Sequence, residues 1–294
     1  MSPTLLQIVI LSVVQGAAEP LPVSSSAHVI AAEKIMRLNP SGPEMTFLLA
    51  MLHTGTMAAV VAYFWKSWRR SFFSSRARLG EVFGRVALAT ATTLVVYLAI
   101  EHLLKKTLLA GRQGAEVEDL FANLRLIATA LAAGGALILV SGLRSRFRSD
   151  ATALPDQPAG AVTPASALLI GAAQGLCLPF RGLSRSGATI STGMLLDIPR
   201  RLSEEFSFAL AVVITPPVIV RELYRFYRAR AVFGNVDIAA LAGPGLLGMV
   251  CSFASGLLAL RWLTGWLDGG RWYLFGIYCF AAAAGVFALA GVGY

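Results

Sequence analysis

Long apolar stretches alternate with short polar ones along the whole chain. Five of them, nearly free of charged residues, cover residues 47–65, 86–104, 126–143, 238–260 and 272–294. A sixth is apolar from residue 206 to 220 and needs flanking residues up to 227 to reach full length. A helix rises about 1.5 Å per residue, so about 20 residues cross a hydrocarbon core of about 30 Å. The pattern predicts an all-α integral membrane protein with six transmembrane helices.

Two further apolar stretches end in residues that cannot face lipid. Residues 1–18 lead into Glu19, Pro20 and Pro22, and residues 165–180 lead into a segment rich in Arg, Gly and Ser. Proline lacks a backbone donor, and the bilayer leaves exposed polar backbone groups without partners. Each stretch therefore predicts a re-entrant helix hairpin with its polar turn at membrane depth, over residues 1–36 and 165–198.

The two interrupted segments also match each other. The shift that carries Gln15 onto Gln174 carries Ser25 onto Ser184 as well. Each half then contains one hairpin and three spans, an odd number of crossings, which predicts an internal repeat with inverted topology. The predicted halves are residues 1–144 and 165–294, joined by a linker over residues 145–164.

Composition and charge support a membrane protein. Hydrophobic residues make up 56% of the chain and charged residues only 14%, against about 25% charged in soluble domains. The formal charge of +9 comes from short basic clusters between apolar stretches, which favours loops near anionic headgroups over nucleic-acid binding. The side of the membrane whose loops carry slightly more basic residues is predicted to be the cytoplasmic side. Glycine-rich helix faces permit a homodimer.

The residues of the two polar turns suit a phosphate-rich anion. Gln15 and Glu19 are four positions apart, and Ser25 and His28 are three apart, so each pair shares a helix face. The start of a helix offers free N–H groups to phosphate oxygens, and Arg185 adds a guanidinium fork. A site inside the bilayer is reached from lipid, so the expected ligand is carried by a lipid.

Glu19 would repel such an anion unless a divalent cation lay between them. Carboxylate and amide oxygens from Glu19 and Gln15 would suit Mg²⁺ or Ca²⁺. Ser25 and His28 form a candidate nucleophile pair, or His28 itself acts as the nucleophile or the general acid. Both readings predict phosphoryl transfer to water.

Two other functions are compatible with this pattern. Inverted repeats with broken helices are typical of transporters, so the chain is alternatively a transporter or flippase of a phosphorylated lipid. An anion-binding protein without turnover is the third reading, although pure anion binding gains nothing from Glu19. Phosphate release in detergent micelles separates an enzyme from a transporter.

At both turns the sequence resembles the undecaprenyl-diphosphatases of the bacitracin-resistance type. Residues 15–28 resemble the family motif E/QGxxExLPVSSxxH, and residues 182–190 resemble the motif PGxSRSGATI. The resemblance covers essentially the whole chain. It departs from the family pattern at Gln15, which replaces a second carboxylate, and at Arg181, which stands where proline is usual and would add a phosphate contact.

The resemblance implies a phosphatase of the bacterial inner membrane, opening to the periplasm. Such an enzyme converts undecaprenyl diphosphate to undecaprenyl phosphate and recycles the lipid carrier for cell-wall synthesis. Bacitracin would compete indirectly by binding the substrate. The implied catalytic residues are Glu19, Ser25, His28 and Arg185. The candidate phosphate-binding residues are Ser24, Ser26, Arg181, Gly182, Ser184, Ser186, Gly187 and Thr189.

Overall fold

The computed structural model describes residues 3–39, 42–107, 123–147, 162–233 and 238–292. These parts of the chain form ten α-helices and contain no β-strand. The helices are α1 (Leu5–Ala18), α2 (Ser25–Ile35), α3 (Pro43–Ser71), α4 (Arg76–Thr107), α5 (Leu124–Phe147), α6 (Pro164–Cys177), α7 (Arg185–Leu195), α8 (Arg200–Phe233), α9 (Ile238–Asp268) and α10 (Trp272–Gly291). The prediction of an all-α protein is confirmed.

Six helices are long and apolar enough to cross a membrane: α3, α4, α5, α8, α9 and α10. They coincide with the six predicted spans, and several extend beyond the predicted ends. Helix α3, for example, continues past residue 65 and carries Arg69 and Arg70 in its last turn. Basic side chains at this end interact favourably with the helix dipole, so the helix continues where the apolar pattern stops. The chain is a multi-pass membrane protein.

The outer surface is apolar. Phe83 and Val95 on α4 are 72% and 66% exposed, and Leu258 on α9 is 65% exposed. Large contiguous apolar surfaces are rare on soluble monomers. This surface therefore suits the hydrocarbon of a bilayer.

The four short helices form two consecutive pairs, and the first helix of each pair packs on a long helix of the other predicted half. Helix α1 packs against α9, and α6 packs against α4. Glycines allow the close approach: a Cβ on Gly16 would lie 1.9 Å from Ser255 Oγ, and a Cβ on Gly175 would lie 2.7 Å from the carbonyl oxygen of Thr93. Gly16 and Gly175 are matched positions of the predicted repeat.

The polar turns that follow α1 and α6 touch each other. Ser186 Oγ, at the start of α7, donates a hydrogen bond to the carbonyl oxygen of Leu21 at 3.2 Å. The re-entrant placement, the inverted repeat and the boundaries of the two halves stay predictions. Most of the predicted linker, residues 148–161, lies outside the described residues.

Candidate active site

Glu19 lies at the junction between α1 and the first polar turn. Its backbone N–H donates to the carbonyl oxygen of Gln15 at 2.9 Å, and the prolines that follow cannot continue this pattern. The chain then passes through Ser24, whose φ of 64° lies in the left-handed region. Such a conformation costs a non-glycine residue about 1–3 kcal/mol and is common at functional sites. The turn returns Ser25, the first residue of α2, to Glu19.

The Glu19 carboxylate is the centre of the polar cluster. Ser25 Oγ donates to Oε2 at 2.5 Å, and Gln15 Nε2 donates to the same oxygen at 3.1 Å. Arg185 Nη2 donates to Oε1 at 3.2 Å. Several donors on one carboxylate, one of them cationic, favour its ionised form. The Glu19–Arg185 ion pair joins the two turns, and its side chains are only 19% and 18% exposed.

One donor group of Arg185 has no partner among the residues that the structure describes. Its Nη1 is buried and makes no hydrogen bond to any of the described residues. Leaving a buried donor unpaired costs about 1–3 kcal/mol, and more when the group is charged. Guanidinium groups bind phosphate through two parallel N–H bonds. Nη1 therefore indicates an anionic ligand beside Glu19.

The start of α2 is a second source of free donors. The first N–H groups of a helix, here including that of Ser26, have no intrahelical partner. The side chain of the N-cap residue, Ser24, makes no capping bond to any of them. In α7, by contrast, Ser184 Oγ accepts from the backbone N–H of Gly187 at 3.1 Å. The start of α2 thus offers open amides together with the positive end of a helix dipole.

His28 and Ser25 share α2, but each has its own partner. His28 Nδ1 lies 2.8 Å from the carbonyl oxygen of Ser24, and Nε2 lies 2.7 Å from Tyr278 Oη. The Ser25 hydroxyl donates to Glu19 at the start of the helix instead of to His28. The pairing of Ser25 and His28 as nucleophile and base stays a prediction.

The predicted phosphate-binding hydroxyls of the second turn take part in internal contacts. Besides the contacts of Ser184 and Ser186, Thr189 Oγ1 shares a 2.6 Å hydrogen bond with Ser207 Oγ on α8. These bonds fix the turn between α6 and α7 against its neighbours. Any contact of these hydroxyls with substrate stays a prediction.

Gly182 is required by the shape of the same turn. Its φ is +119°, and a Cβ there would lie 2.2 Å from the carbonyl oxygen of Ile127 on α5. Gly187 is also tightly packed, since a Cβ would lie 2.8 Å from Ile138 Cδ1. Both glycines let the second turn approach α5 closely, so their first role is packing.

Arg181 lies among charges other than that of Glu19. It interacts electrostatically with Glu33 of α2 and with Glu222 and Arg225 of α8. Glu33 is only 3% exposed, and its Oε1 is buried without a hydrogen bond from the described residues. Arg181 therefore compensates the charge of a buried carboxylate. Its predicted contact with phosphate stays a prediction.

Two residues of this region were not among the predicted site residues. His53 on α3 is close enough to Glu19 to interact with its carboxylate electrostatically. Its Nδ1 lies 2.8 Å from the carbonyl oxygen of Leu49, so Nε2 is the nitrogen left for other partners. Tyr278 is 250 positions from His28, and no local pattern in the sequence could indicate their contact.

The Glu19 carboxylate has one open position at which it could bind a divalent cation. A carboxylate offers about four lone-pair positions, and Glu19 uses two on Oε2 and one on Oε1. One position on Oε1 stays open. The described part of the chain holds no group of three or more His, Cys, Asp or Glu side chains suited to a metal. A cation would therefore need substrate oxygens and water as further ligands, which is common for Mg²⁺.

Comparison with known proteins adds independent information. Residues 8–285 match the family described as bacitracin resistance protein BacA. A protein named undecaprenyl-diphosphatase 2 from Acinetobacter baylyi is 53% identical over 97% of this chain and 98% of its own length. Proteins named undecaprenyl-diphosphatase from Gluconobacter oxydans and Burkholderia mallei are 30% and 32% identical over 97% of this chain, and over 98% and 94% of their own lengths.

Proposed function

The chain belongs to the BacA family of bacitracin resistance proteins, and we propose that it is a membrane phosphatase acting on undecaprenyl diphosphate. It hydrolyses this lipid to undecaprenyl phosphate and inorganic phosphate, the activity in the names of its full-length relatives. Those names favour hydrolysis over the alternative of a flippase for a phosphorylated polyprenyl lipid.

The main structural support for this proposal is Nη1 of Arg185, which has no hydrogen-bond partner among the described residues. It lies beside Glu19 and close to the turn that leads to the uncapped start of α2. Together these groups provide fixed donors for a diphosphate. Donors fixed in a site of low polarity stabilise the negative charge that develops on a phosphoryl group in the transition state.

Two routes of attack on the terminal phosphorus are open to these residues. In the first, Ser25 Oγ attacks while Glu19, which already accepts a hydrogen bond from this hydroxyl, takes its proton as the base. In the second, His28 is the nucleophile or the acid–base group through Nε2. In both routes the bond between the terminal phosphorus and the bridging oxygen breaks, undecaprenyl phosphate leaves, and water supplies the last oxygen of the released phosphate.

The proposal includes a divalent cation, Mg²⁺ or Ca²⁺, held by Glu19 Oε1 and by the amide oxygen of Gln15. When bound, it would neutralise charge on the diphosphate and polarise the terminal phosphoryl group. Glu19 holds Ser25 and Arg185 in place through its other lone pairs.

The proposed location is the bacterial inner membrane, with the site opening to the periplasm. The first hairpin, which carries Glu19, Ser25 and His28, enters from this side in the predicted topology. Recycling of the lipid carrier there supports cell-wall synthesis. It would also counter bacitracin, which would sequester the diphosphate form. A homodimer is compatible with the glycine-rich helix faces.

Phosphate release by the purified full-length protein in detergent micelles tests the proposed function. Undecaprenyl diphosphate should yield one inorganic phosphate per lipid, and the rate should depend on a divalent cation. A flippase needs two compartments and would release no phosphate in micelles. Lipid movement in proteoliposomes without phosphate release would therefore contradict the proposal.

A further inference from the structure

Tyr278 on α10 is in direct contact with the imidazole of His28. Its Oη lies 2.7 Å from His28 Nε2, and the two rings are inclined by only 12° with centroids 5.7 Å apart. The tyrosine is 47% exposed, so its side chain is only half-buried. None of the proposed chemical steps uses Tyr278.

The partners of the ring define the tautomer of His28. The carbonyl oxygen of Ser24 can only accept, so Nδ1 carries the proton of the neutral ring. Nε2 then has a lone pair, and the Tyr278 hydroxyl donates to it. A phenol can also accept a hydrogen bond, so Tyr278 stays a suitable partner when His28 becomes protonated.

The backbone around Tyr278 holds this arrangement in place. The next residue, Cys279, is buried and donates through Sγ to the carbonyl oxygen of Pro22 in the first turn, at 3.3 Å. Two residues earlier, Gly276 packs closely on α5, where its Cβ would lie 2.7 Å from the carbonyl oxygen of Gly135. Helix α10 is thus tied both to the turn that carries the site and to α5.

We propose that Tyr278 is a positioning residue for the phosphatase reaction. Its hydroxyl holds the imidazole of His28 in a fixed orientation through Nε2, while the carbonyl oxygen of Ser24 fixes the tautomer through Nδ1. This inference rests on the proposed function, because it assigns Tyr278 a role in that same reaction. It applies whether His28 acts as the nucleophile or as the acid–base group.

The test compares Tyr278→Phe with Tyr273→Phe in the purified full-length protein. Both variants remove one hydroxyl from α10 and keep the ring, but Tyr273 faces Arg146 instead of His28. Tyr278→Phe should lower kcat for phosphate release about three- to tenfold, the equivalent of one hydrogen bond, and leave KM within about twofold. Tyr273→Phe should leave both constants unchanged.

Nitrogen NMR of isotope-labelled histidine gives a readout that a general loss of packing would not produce. In Tyr278→Phe the Nε2 resonance of His28 should move, and the Nδ1 resonance, which reports the bond to Ser24, should stay. Thermal melting of both variants verifies that the fold is kept.

Any other result of these measurements contradicts the proposed role of Tyr278. An unchanged kcat, an unmoved Nε2 resonance, or a rise in KM alone would show that Tyr278 does not position His28 for the reaction. If the unsubstituted protein is active and Tyr278→Phe equals it, this inference alone fails. If the unsubstituted protein releases no phosphate, the proposed function fails and this inference fails with it.

Discussion

Arg185 and Glu19 form an ion pair of 3.2 Å between residues that are 166 positions apart in the chain. Glu19 ends α1, and Arg185 begins α7. The pair therefore joins the turn after α1 to the turn after α6, which belong to different predicted halves of the sequence. Nη2 is used by this pair, and the buried Nη1 has no hydrogen-bond partner among the described residues.

Arg185→Lys should therefore lower activity strongly even though it keeps the positive charge. Lysine can replace the contact with Glu19 but lacks the second nitrogen of the planar fork. Loss of one preorganised donor to a developing oxyanion typically costs about 10²–10³ in kcat. Initial rates of phosphate release on undecaprenyl diphosphate measure this effect.

Arg201→Lys is the matched control for this substitution. Arg201 also forms an ion pair with a carboxylate, donating to both oxygens of Asp268 at 3.1 and 2.8 Å. That pair links α8 to α9 and is exposed. It should tolerate lysine with unchanged kcat, and equal losses in both variants would contradict a specific role for Arg185.

Ser25→Ala should reduce kcat by at least about 10², because it removes either the nucleophile or a hydroxyl that orients Glu19. Ser67→Ala is the control, since Ser67 also donates to a glutamate, Glu205, but on α3 and away from both polar turns. If Ser25→Ala keeps near-normal kcat and Ser67→Ala does not, the assignment of Ser25 is wrong.

The sequence predicted the long helices and the residues of both polar turns because these features depend on local composition. Twenty apolar residues specify a span wherever they occur. It could not predict which side chains meet. Ser25 and His28 have helical spacing, but Ser25 stands at the first position of α2, where its hydroxyl turns back to Glu19. That direction depends on the left-handed Ser24, a conformation that serine rarely adopts.

Tyr278 illustrates a second limit of sequence analysis. It lies in an apolar span with no motif around it, and its partner is in the first hairpin. Only the packing of α10 against the first turn brings the two rings together. Contacts of this kind follow from tertiary structure, so periodicity and motif spacing carry no signal for them.

Gly182→Ala should destabilise the protein by about 2 kcal/mol or more. A side chain at this position would adopt a φ of +119° and collide with the carbonyl oxygen of Ile127. Gly265→Ala is the control, because nothing lies within 4 Å of a Cβ at that helical position. The melting temperature in detergent should fall for Gly182→Ala and stay or rise for Gly265→Ala. Equal melting temperatures would contradict the packing argument.

Glu33 should make stability depend on pH. Burial raises the pKa of Glu33 from 4.5 to about 7, although the nearby charge of Arg181 acts to lower it. The folded state therefore binds the proton more tightly than the unfolded state, and the free energy of unfolding falls as the pH rises from about 4.5 to about 7. A shift of this size corresponds to a loss on the order of 3 kcal/mol. Glu33→Gln should remove this part of the pH dependence and raise the melting temperature at pH 8, and a parallel decline in both proteins would contradict it.

A chelator should abolish phosphate release, and Mg²⁺ or Ca²⁺ should restore it. In the proposed site, Glu19 has one open lone pair and Gln15 would supply an amide oxygen in place of a second carboxylate, so the cation would depend on the substrate for further ligands. Gln15→Glu should consequently raise the affinity for the cation, seen as a lower concentration for half-maximal rate, because a second charged ligand is added. Gln174→Glu is the matched control, since Gln174 occupies the corresponding position of α6 and donates to Thr93 instead of Glu19. Full activity in the presence of chelator would remove the cation from the mechanism, and an unchanged half-maximal concentration in Gln15→Glu would remove Gln15 from its ligands.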